Sequence, residues 1–222
     1  MPPRPLTGSS LQVTEIFRSI QGESTFAGLP CVFVRLTGCN LRCTWCDTEY
    51  AFHGGEKLSI DQVLEKVRAA GVRLVEVTGG EPLLQKEVHP LMERLLAEGY
   101  QVLLETSGER SIAEVPRAVV KIVDVKCPDS GEPDTFDMTN LAHLAAHDQV
   151  KFVIASRRDY EFARDFTQLH DLSHRVAAVI FSPVWGQVDL QAMADWILTD
   201  GLDVRFGYQL HKLIWGAEAR GV

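Results

Sequence analysis

Apolar runs and amphipathic helical stretches alternate along this chain, and that alternation narrows the fold more than any other feature. Strand-like runs occupy 11–17, 31–37, 73–78, 101–106, 119–126, 149–155, 176–182 and 203–210. Many are nearly unbroken Val, Ile, Leu and Phe, the pattern of strands covered on both faces in a parallel sheet. Between them, Ile60, Val63, Leu64 and Val67 recur at helical spacing, and Ser59 with Gln62 reads as a capping box. Val88, Leu91, Met92, Leu95 and Leu96 repeat the spacing and stop at Gly99; Leu190, Met193, Ala194, Ile197 and Leu198 stop at Gly201. Stretches near 139–146 and 158–170 are helical with a weaker period. Such alternation implies βαβ units with right-handed crossovers. About six or seven strands are available, too few for a closed eight-stranded barrel. The expectation is an α/β fold, a partial, open β/α barrel in a single domain over 11–222, behind a loose arm at 1–10.

Composition sets outer limits on function. Of 222 residues, 45% are hydrophobic and 23% charged, which suits a globular domain. The net charge of −8 argues against a broad cationic surface for nucleic acid, while leaving room for a local basic pocket. No apolar run is long enough to span a bilayer. The opening MPPRPLTGSS lacks the apolar segment of a secretory signal. A cytoplasmic protein with no membrane and no direct nucleic-acid partner is expected.

In α/β barrels the chemistry gathers at the carboxyl ends of the strands. The unusual polar words fall there: TGCNLRCTWCDT, TGGEP, ETSG, DVKCPDSG and SPVWG. Cys39-x3-Cys43-x2-Cys46 places three thiols in one loop. Thiolates are soft ligands for iron–sulfur clusters, zinc and Cu(I). Structural zinc usually takes four ligands in two separated pairs, and no second pair exists here. Three ligands on a [4Fe–4S] cluster leave one iron open, which reads as catalytic; an electron carrier uses a fourth cysteine. Cys31 starts a strand and reads as core. Cys127 either lines the site or packs. Arg35 interrupts an apolar strand four positions before Cys39. A buried arginine needs an anion, and either a bound carboxylate or an internal salt bridge supplies one.

The cysteine triplet, with Trp45 before its last member, resembles the signature of the radical S-adenosylmethionine superfamily. Thr78–Pro82 (TGGEP) resembles that superfamily's second motif. Residues 15–25, 33–52 and 209–222 resemble the 7-carboxy-7-deazaguanine synthase family, and the likeness spans nearly the whole chain. It implies conversion of 6-carboxy-5,6,7,8-tetrahydropterin to 7-carboxy-7-deazaguanine with loss of ammonia, on the route to queuosine-type deazapurines. It also implies a [4Fe–4S] cluster, S-adenosylmethionine used catalytically, Mg²⁺ and a homodimer. The family's hydrogen abstraction belongs to a 5′-deoxyadenosyl radical, so no side-chain acid or base is assigned. An electron donor such as flavodoxin or ferredoxin completes the set.

Carried over by position, the resemblance assigns Cys39, Cys43 and Cys46 to the cluster and Thr48 to Mg²⁺. Ile20, Gln21, Gly22, Glu23, Arg35, Thr78 and His211 match the substrate site. A surface carboxylate is the competing reading of Glu23. Gly80, Glu105, Ser107, Asp124, Val125, Lys126, Ser182, Pro183, Val184 and Trp185 are assigned to S-adenosylmethionine, with Trp185 as a stacking platform for adenine or as edge-of-core packing. Asp124-Val125-Lys126 departs from the Ser-Pro-Lys frequent in the family and keeps only the lysine. Some members end soon after the histidine and place their terminal carboxylate on the substrate. This chain runs on through Trp215 to Val222, so that carboxylate is expected to be unavailable. Two rivals stay open: a glycyl-radical-enzyme activating enzyme, and a non-catalytic iron–sulfur or zinc module.

Overall fold

The computed structural model describes residues 9–222. Its strands are β1 (Ser10–Ile20), β2 (Pro30–Leu36), β3 (Glu56–Ser59), β4 (Leu74–Gly79), β5 (Gln101–Thr106), β6 (Val120–Asp124), β7 (Gln149–Ile154), β8 (Ala178–Pro183) and β9 (Arg205–Phe206). They form one sheet in the order β3-β1-β2-β4-β5-β6-β7-β8-β9. β1 is antiparallel to β2 and β3, and from β2 onward every neighbour is parallel. β3 and β9 end the sheet and do not pair with each other, so the barrel is open, as expected. The helices are α1 (Ile60–Ala70), α2 (Val88–Ala97), α3 (Arg157–Leu169), α4 (Leu172–Arg175), α5 (Leu190–Asp200) and α6 (Leu210–Trp215). None is long and apolar enough to cross a membrane.

Several local expectations change. Nine strands replace six or seven: all eight apolar runs contribute one, and the short edge strand β3 (EKLS), which carries no apolar run, is the ninth. The run at 203–210 pairs only at Arg205 and Phe206, and the chain then turns into α6. The stretch at 139–146 is a 3-10 turn, Met138–His143, held at its start by the Asp137 carboxylate accepting from the Thr139 N–H. Most of the arm assigned to 1–10 lies outside the described residues, but Ser10 already pairs with Ser59 in β1. The Ser59 capping box is present, with Gln62 N–H donating to Ser59 Oγ and Ser59 N–H to Gln62 Oε1.

The two faces of the sheet divide the work. Side chains alternate along a strand. Outward positions Val32, Val34, Val75, Val77, Val102 and Leu104 pack with Val63, Leu64, Leu91 and Leu95 of α1 and α2. Phe152 and Phe181 pack with Tyr160 of α3 and Met193 of α5. Inward positions start apolar at the base, with Cys31, Leu74, Leu103 and Ile122 in one small cluster. Above that base the same parity carries Arg35, Glu76, Thr78, Glu105, Asp124 and Lys151. Parallel pairing sets them side by side: Arg35 opposite Thr78, Asp124 opposite Lys151. In β1 an irregularity between Val13 and Glu15 reverses the parity. Leu11 and Val13 face the helices, whereas Phe17 stacks on inward-facing Phe33 at 5.0 Å and Glu15 reaches Arg35.

Candidate active site

The carboxyl ends of the strands surround a cavity of about 660 Å³. All five of the polar loops marked out in the sequence contribute to its wall. The cysteine loop follows β2 and lies against the loop after β4. Gly80 makes that contact possible: a Cβ there would stand 2.3 Å from the Gly38 carbonyl oxygen and 2.6 Å from Cys39 Cβ. The Glu81 N–H donates to the Gly38 carbonyl at 2.8 Å, fixing the same junction. Thr44 N–H donates to the Ser130 carbonyl and Thr44 Oγ1 to the Asp129 carbonyl, both at 2.9 Å. Cys39, Cys43 and Cys46 are free, half-buried and exposed to the cavity. Burial pushes all three thiols upward. Among the described residues, no three Cys, His, Asp or Glu side chains are gathered for a single metal ion. A cubane makes a different demand, because each thiolate binds its own iron.

Glu81 holds two loops together. It is fully buried, and its carboxylate accepts from Leu83 N–H, Thr106 Oγ1, Ser107 N–H and Ser107 Oγ at 2.7–3.0 Å. The Ser107 hydroxyl, assigned from the resemblance to the cofactor, is therefore committed to Glu81, although Ser107 still lines the cavity. Glu81 was passed over as a site residue, yet an acid between Gly80 and Pro82 was visible in the sequence.

Arg35 makes an internal salt bridge and also lines the cavity. Its Nε donates to Glu15 Oε1 at 2.8 Å, and Tyr50 OH donates to the same oxygen at 2.8 Å. Phe17 and Tyr50 rings flank the guanidinium, each with its centroid 5.9 Å away. Neither Nη group donates to another described residue, so the outer fork faces the cavity. Burial and the Glu15 carboxylate, against a downward pull from the Arg35 guanidinium, bring Tyr50 up to about 12. Glu15 was missed because the bulge before it reverses the strand parity.

The segment after β1 closes the adjacent wall, and Ile20, Gln21, Gly22 and Glu23 all line it. The Gln21 side chain is fully engaged: Oε1 accepts from the N–H groups of Glu23 and Ser24, and Nε2 donates to Glu76 Oε2 at 3.1 Å. Gly22 permits a close approach, by the protein itself. A Cβ at 22 would meet His211 Nδ1 at 2.3 Å, and Leu210 N–H donates to the Gly22 carbonyl. His211 is thereby held at the cavity wall. Glu23 is no free surface carboxylate. Lys151 Nζ donates to its Oε2 at 2.9 Å and Gln209 Nε2 to its Oε1 at 2.8 Å. Burial is the largest influence on Glu23 and acts upward, but the Lys151 ammonium and the Gln209 amide together outweigh it and hold the carboxyl at about 2. Lys151 also pairs with Glu105, which faces Thr78 Oγ1 at 3.4 Å.

Across the cavity, Lys126 Nζ donates to Asp124 Oδ2 at 2.8 Å, and the buried Asp124 Oδ1 has no partner. Val125 is a correction. Alternation turns it to the opposite face, where it is 1% exposed and packs in the core beside Phe152 and Tyr160. Ser182, Pro183, Val184 and Trp185 form the lip after β8. Trp185 is 37% exposed with its ring 5.6 Å from that of Tyr208, so it belongs to the cavity's edge and not to the core. Thr48 lines the cavity and donates to Asp47 Oδ1 at 2.9 Å, leaving its oxygen lone pairs free. Asp47 is tied in turn to Lys212 of α6 at 2.7 Å.

The remaining two cysteines are core. Cys31 is fully buried beside Leu74 and Leu103; Cys127 is 1% exposed and lies beside Val125. The residues beyond α6 are not remote from the site. Ala217–Val222 contribute to the cavity wall, with Arg220 over the Tyr50 ring at 4.4 Å. The length past His211 therefore does not carry the end of the chain away.

Residues 33–127 match the family model described as the Radical SAM superfamily. The chain is 56% identical to the 7-carboxy-7-deazaguanine synthase of Koribacter versatilis, over 96% of this chain and 100% of that protein. It is 43% identical to the 7-carboxy-7-deazaguanine synthase of Chlorobaculum tepidum, over 97% and 99%. The fold is similar to the crystal structure of QueE from Escherichia coli, with a TM-score of 0.75 and 23% identity over 91% of this chain and 95% of that one.

Proposed function

The chain belongs to the 7-carboxy-7-deazaguanine synthase family of the radical S-adenosylmethionine superfamily, and on that premise we infer that its cavity converts 6-carboxy-5,6,7,8-tetrahydropterin to 7-carboxy-7-deazaguanine with release of ammonia. One observation carries the reading. Three half-buried thiols share a single cavity with the outer fork of Arg35 and with Gln21, Glu23 and His211. Cofactor chemistry and recognition of an anionic, hydrogen-bonding substrate therefore meet in one volume.

The residues fit the groups the family requires. Cys39, Cys43 and Cys46 offer three thiols and no fourth. Gly80 lets the loop after β4 lie directly against the Cys39 end of the thiol loop, a contact any side chain would push apart. Asp124 Oδ1 is a buried acceptor awaiting a donor, as an amine or a ribose hydroxyl provides. When bound, the cluster and S-adenosylmethionine would supply one-electron chemistry for removal of a hydrogen atom from the substrate.

This chain's residues bind, orient and exclude water. The Arg35 fork grips the substrate carboxylate, with Nε fixed by Glu15 so that the fork is pre-aimed. Gln21 and Gly22 through their backbone, with Glu23, Thr78 and His211, hold the pterin. Lys126 with Asp124, Gly80, Glu105 and the 182–185 lip hold S-adenosylmethionine, and the exposed Trp185 face stacks on adenine. Thr48 gives one oxygen to Mg²⁺ beside the substrate carboxylate. The assembly we propose is a homodimer of one catalytic domain, 11–222. It works in the cytoplasm, consistent with five free cysteines, and takes its electron from a flavodoxin or ferredoxin. An activating enzyme for a glycyl-radical protein is disfavoured by near-full-length identity to synthases.

The test is an anaerobic assay of reconstituted protein with 6-carboxytetrahydropterin, S-adenosylmethionine and reductant, read by mass spectrometry. The expected result is 7-carboxy-7-deazaguanine with S-adenosylmethionine conserved, from protein holding about four irons per chain. Colourless protein that holds zinc overturns the reading.

A further inference from the structure

The inner face of the barrel holds more acid than base, and the surplus sits directly behind the substrate segment. Arg35 is paired with Glu15, and Lys126 with Asp124. What remains is one ammonium, Lys151, among three carboxyl groups: Glu23, Glu105 and Glu76. Lys151 touches the first two. Glu76 lies in the middle of β4, 2% exposed, on the cavity floor. No cation touches it. Its one hydrogen-bond partner is Gln21 Nε2 at 3.1 Å, and Gln21 in turn holds the backbone N–H groups of Glu23 and Ser24. The other titratable neighbour on β2, Cys31, is a buried thiol pushed further up by Glu76 itself.

Glu23 and Glu105 keep 22% and 28% of their side chains exposed and both touch Lys151, whereas Glu76 is buried with no cation against it, so its ionisation leaves the most costly unpaired charge. The group lacking a cation retains the proton. Burial and then the Glu105 carboxylate push Glu76 up to about 8, against a smaller pull from the Gln21 amide. Lys151 moves up: its burial is outweighed by Glu105 and Glu23.

We propose that Glu76 is a positioning residue for the substrate: as a neutral acid it anchors Gln21 and leaves Lys151 to Glu23 and Glu105, and its ionisation competes for Lys151 and loosens the segment that binds the pterin. The inference rests on the substrate reading of residues 20–23. It requires substrate affinity to fall on the alkaline side, and to fall more than the affinity for S-adenosylmethionine, of whose proposed contacts only Glu105 touches Lys151.

The test is calorimetric titration of the anaerobically reconstituted holoenzyme, with S-adenosylmethionine and without reductant, against 6-carboxytetrahydropterin from about pH 6.5 to about pH 9.5. In the unsubstituted protein the dissociation constant should rise by up to about tenfold per pH unit once Glu76 ionises. Glu76→Gln, which keeps a neutral anchor for Gln21, should flatten that limb. Glu76→Leu should bind more weakly at every pH and be equally flat. In the infrared, a protonated carboxyl band should fade as the pH rises in the unsubstituted protein and be absent from both variants. An alkaline limb shared by all three proteins, or a band that survives Glu76→Gln, overturns the proposal. If the pterin binds none of them at any pH while S-adenosylmethionine still binds, the substrate reading fails and this inference with it.

Discussion

The outward and inward faces of the same strands obey different rules. Outward, Val75 and Val77 of β4 and Val102 and Leu104 of β5 are almost completely buried against α1 and α2. One residue away, Glu76, Thr78 and Glu105 face the cavity. Glu76 and Thr78 are almost as buried as their outward neighbours while Glu105 keeps 28% of its side chain exposed, so burial alone does not distinguish the faces. The outward face is satisfied by apolar contact, which is non-directional and tolerates exchange of similar shapes. The inward face is satisfied by named partners: Glu15 for Arg35, Lys151 for Glu105, Gln21 for Glu76. Each inward group is expensive to strand and specific in what it accepts. Substitutions on the two faces should therefore fail in different ways.

The largest effect should come from the thiols. Cys43→Ala removes a cluster ligand and should abolish iron retention and turnover, while far-ultraviolet circular dichroism stays close to that of the parent. Cys31→Ala, on the inner face but in its apolar base, should leave iron content unchanged. Loss of iron from Cys31→Ala would show that the ligand set is wrong.

Next comes Glu81, whose carboxylate joins the loops after β4 and β5. Glu81→Ala strands donors on the nearly buried Leu83, Thr106 and Ser107, at a cost of about 3–5 kcal/mol of stability. Thermal melting of the reconstituted protein reads it directly. A shift of only a degree or two would mean that the two loops are held elsewhere.

Arg35 and Val77 compare the faces most directly. Arg35→Ala should weaken pterin binding by about 2–5 kcal/mol and spare S-adenosylmethionine. Arg35→Lys should recover part of it, because the planar fork is lost. Val77→Ala should cost about 2–3 kcal/mol of stability through lost burial and a residual cavity, with substrate affinity unchanged. Parallel calorimetry and denaturant titration separate the two. Equal loss of affinity for both ligands in Arg35→Ala would make Arg35 a packing residue.

Much of this arrangement was legible in the sequence. The apolar runs identified the parallel strands, the polar words marked their carboxyl ends, and the cysteine triplet with TGGEP pointed to the superfamily. What escaped reading depended on local geometry. Glu15 faces inward only because the bulge after Val13 reverses its parity. Val125 sits in a functional word, but alternation turns it into the core. Gly22 was expected to admit a ligand, whereas the imidazole of His211 occupies that space. Glu76 reads as an ordinary strand residue until β5 and β7 bring Glu105 and Lys151 beside it, a relation no linear pattern contains. The C-terminal extension was expected to take the chain end away, and residues 217–222 instead return to the wall.

The smallest effect, and the finest test of the inward face, belongs to Thr48. Its hydroxyl donates to Asp47 within the loop, so a purely local role exists for it. If it also gives an oxygen to Mg²⁺, it is one ligand among several, and its loss weakens the ion without displacing the cluster. Thr48→Ala should then lose activity at low Mg²⁺ and regain most of it at high Mg²⁺, as mass action requires, with an unchanged cluster spectrum. Mn²⁺ should rescue at lower concentration, following the affinity order for divalent ions. The local role alone predicts about 1 kcal/mol of lost stability and no dependence on the ion. Turnover titrated against Mg²⁺ decides, since a shift of the midpoint marks a ligand. Curves for the two proteins that differ only in height would remove Thr48 from the metal site and leave it to the loop.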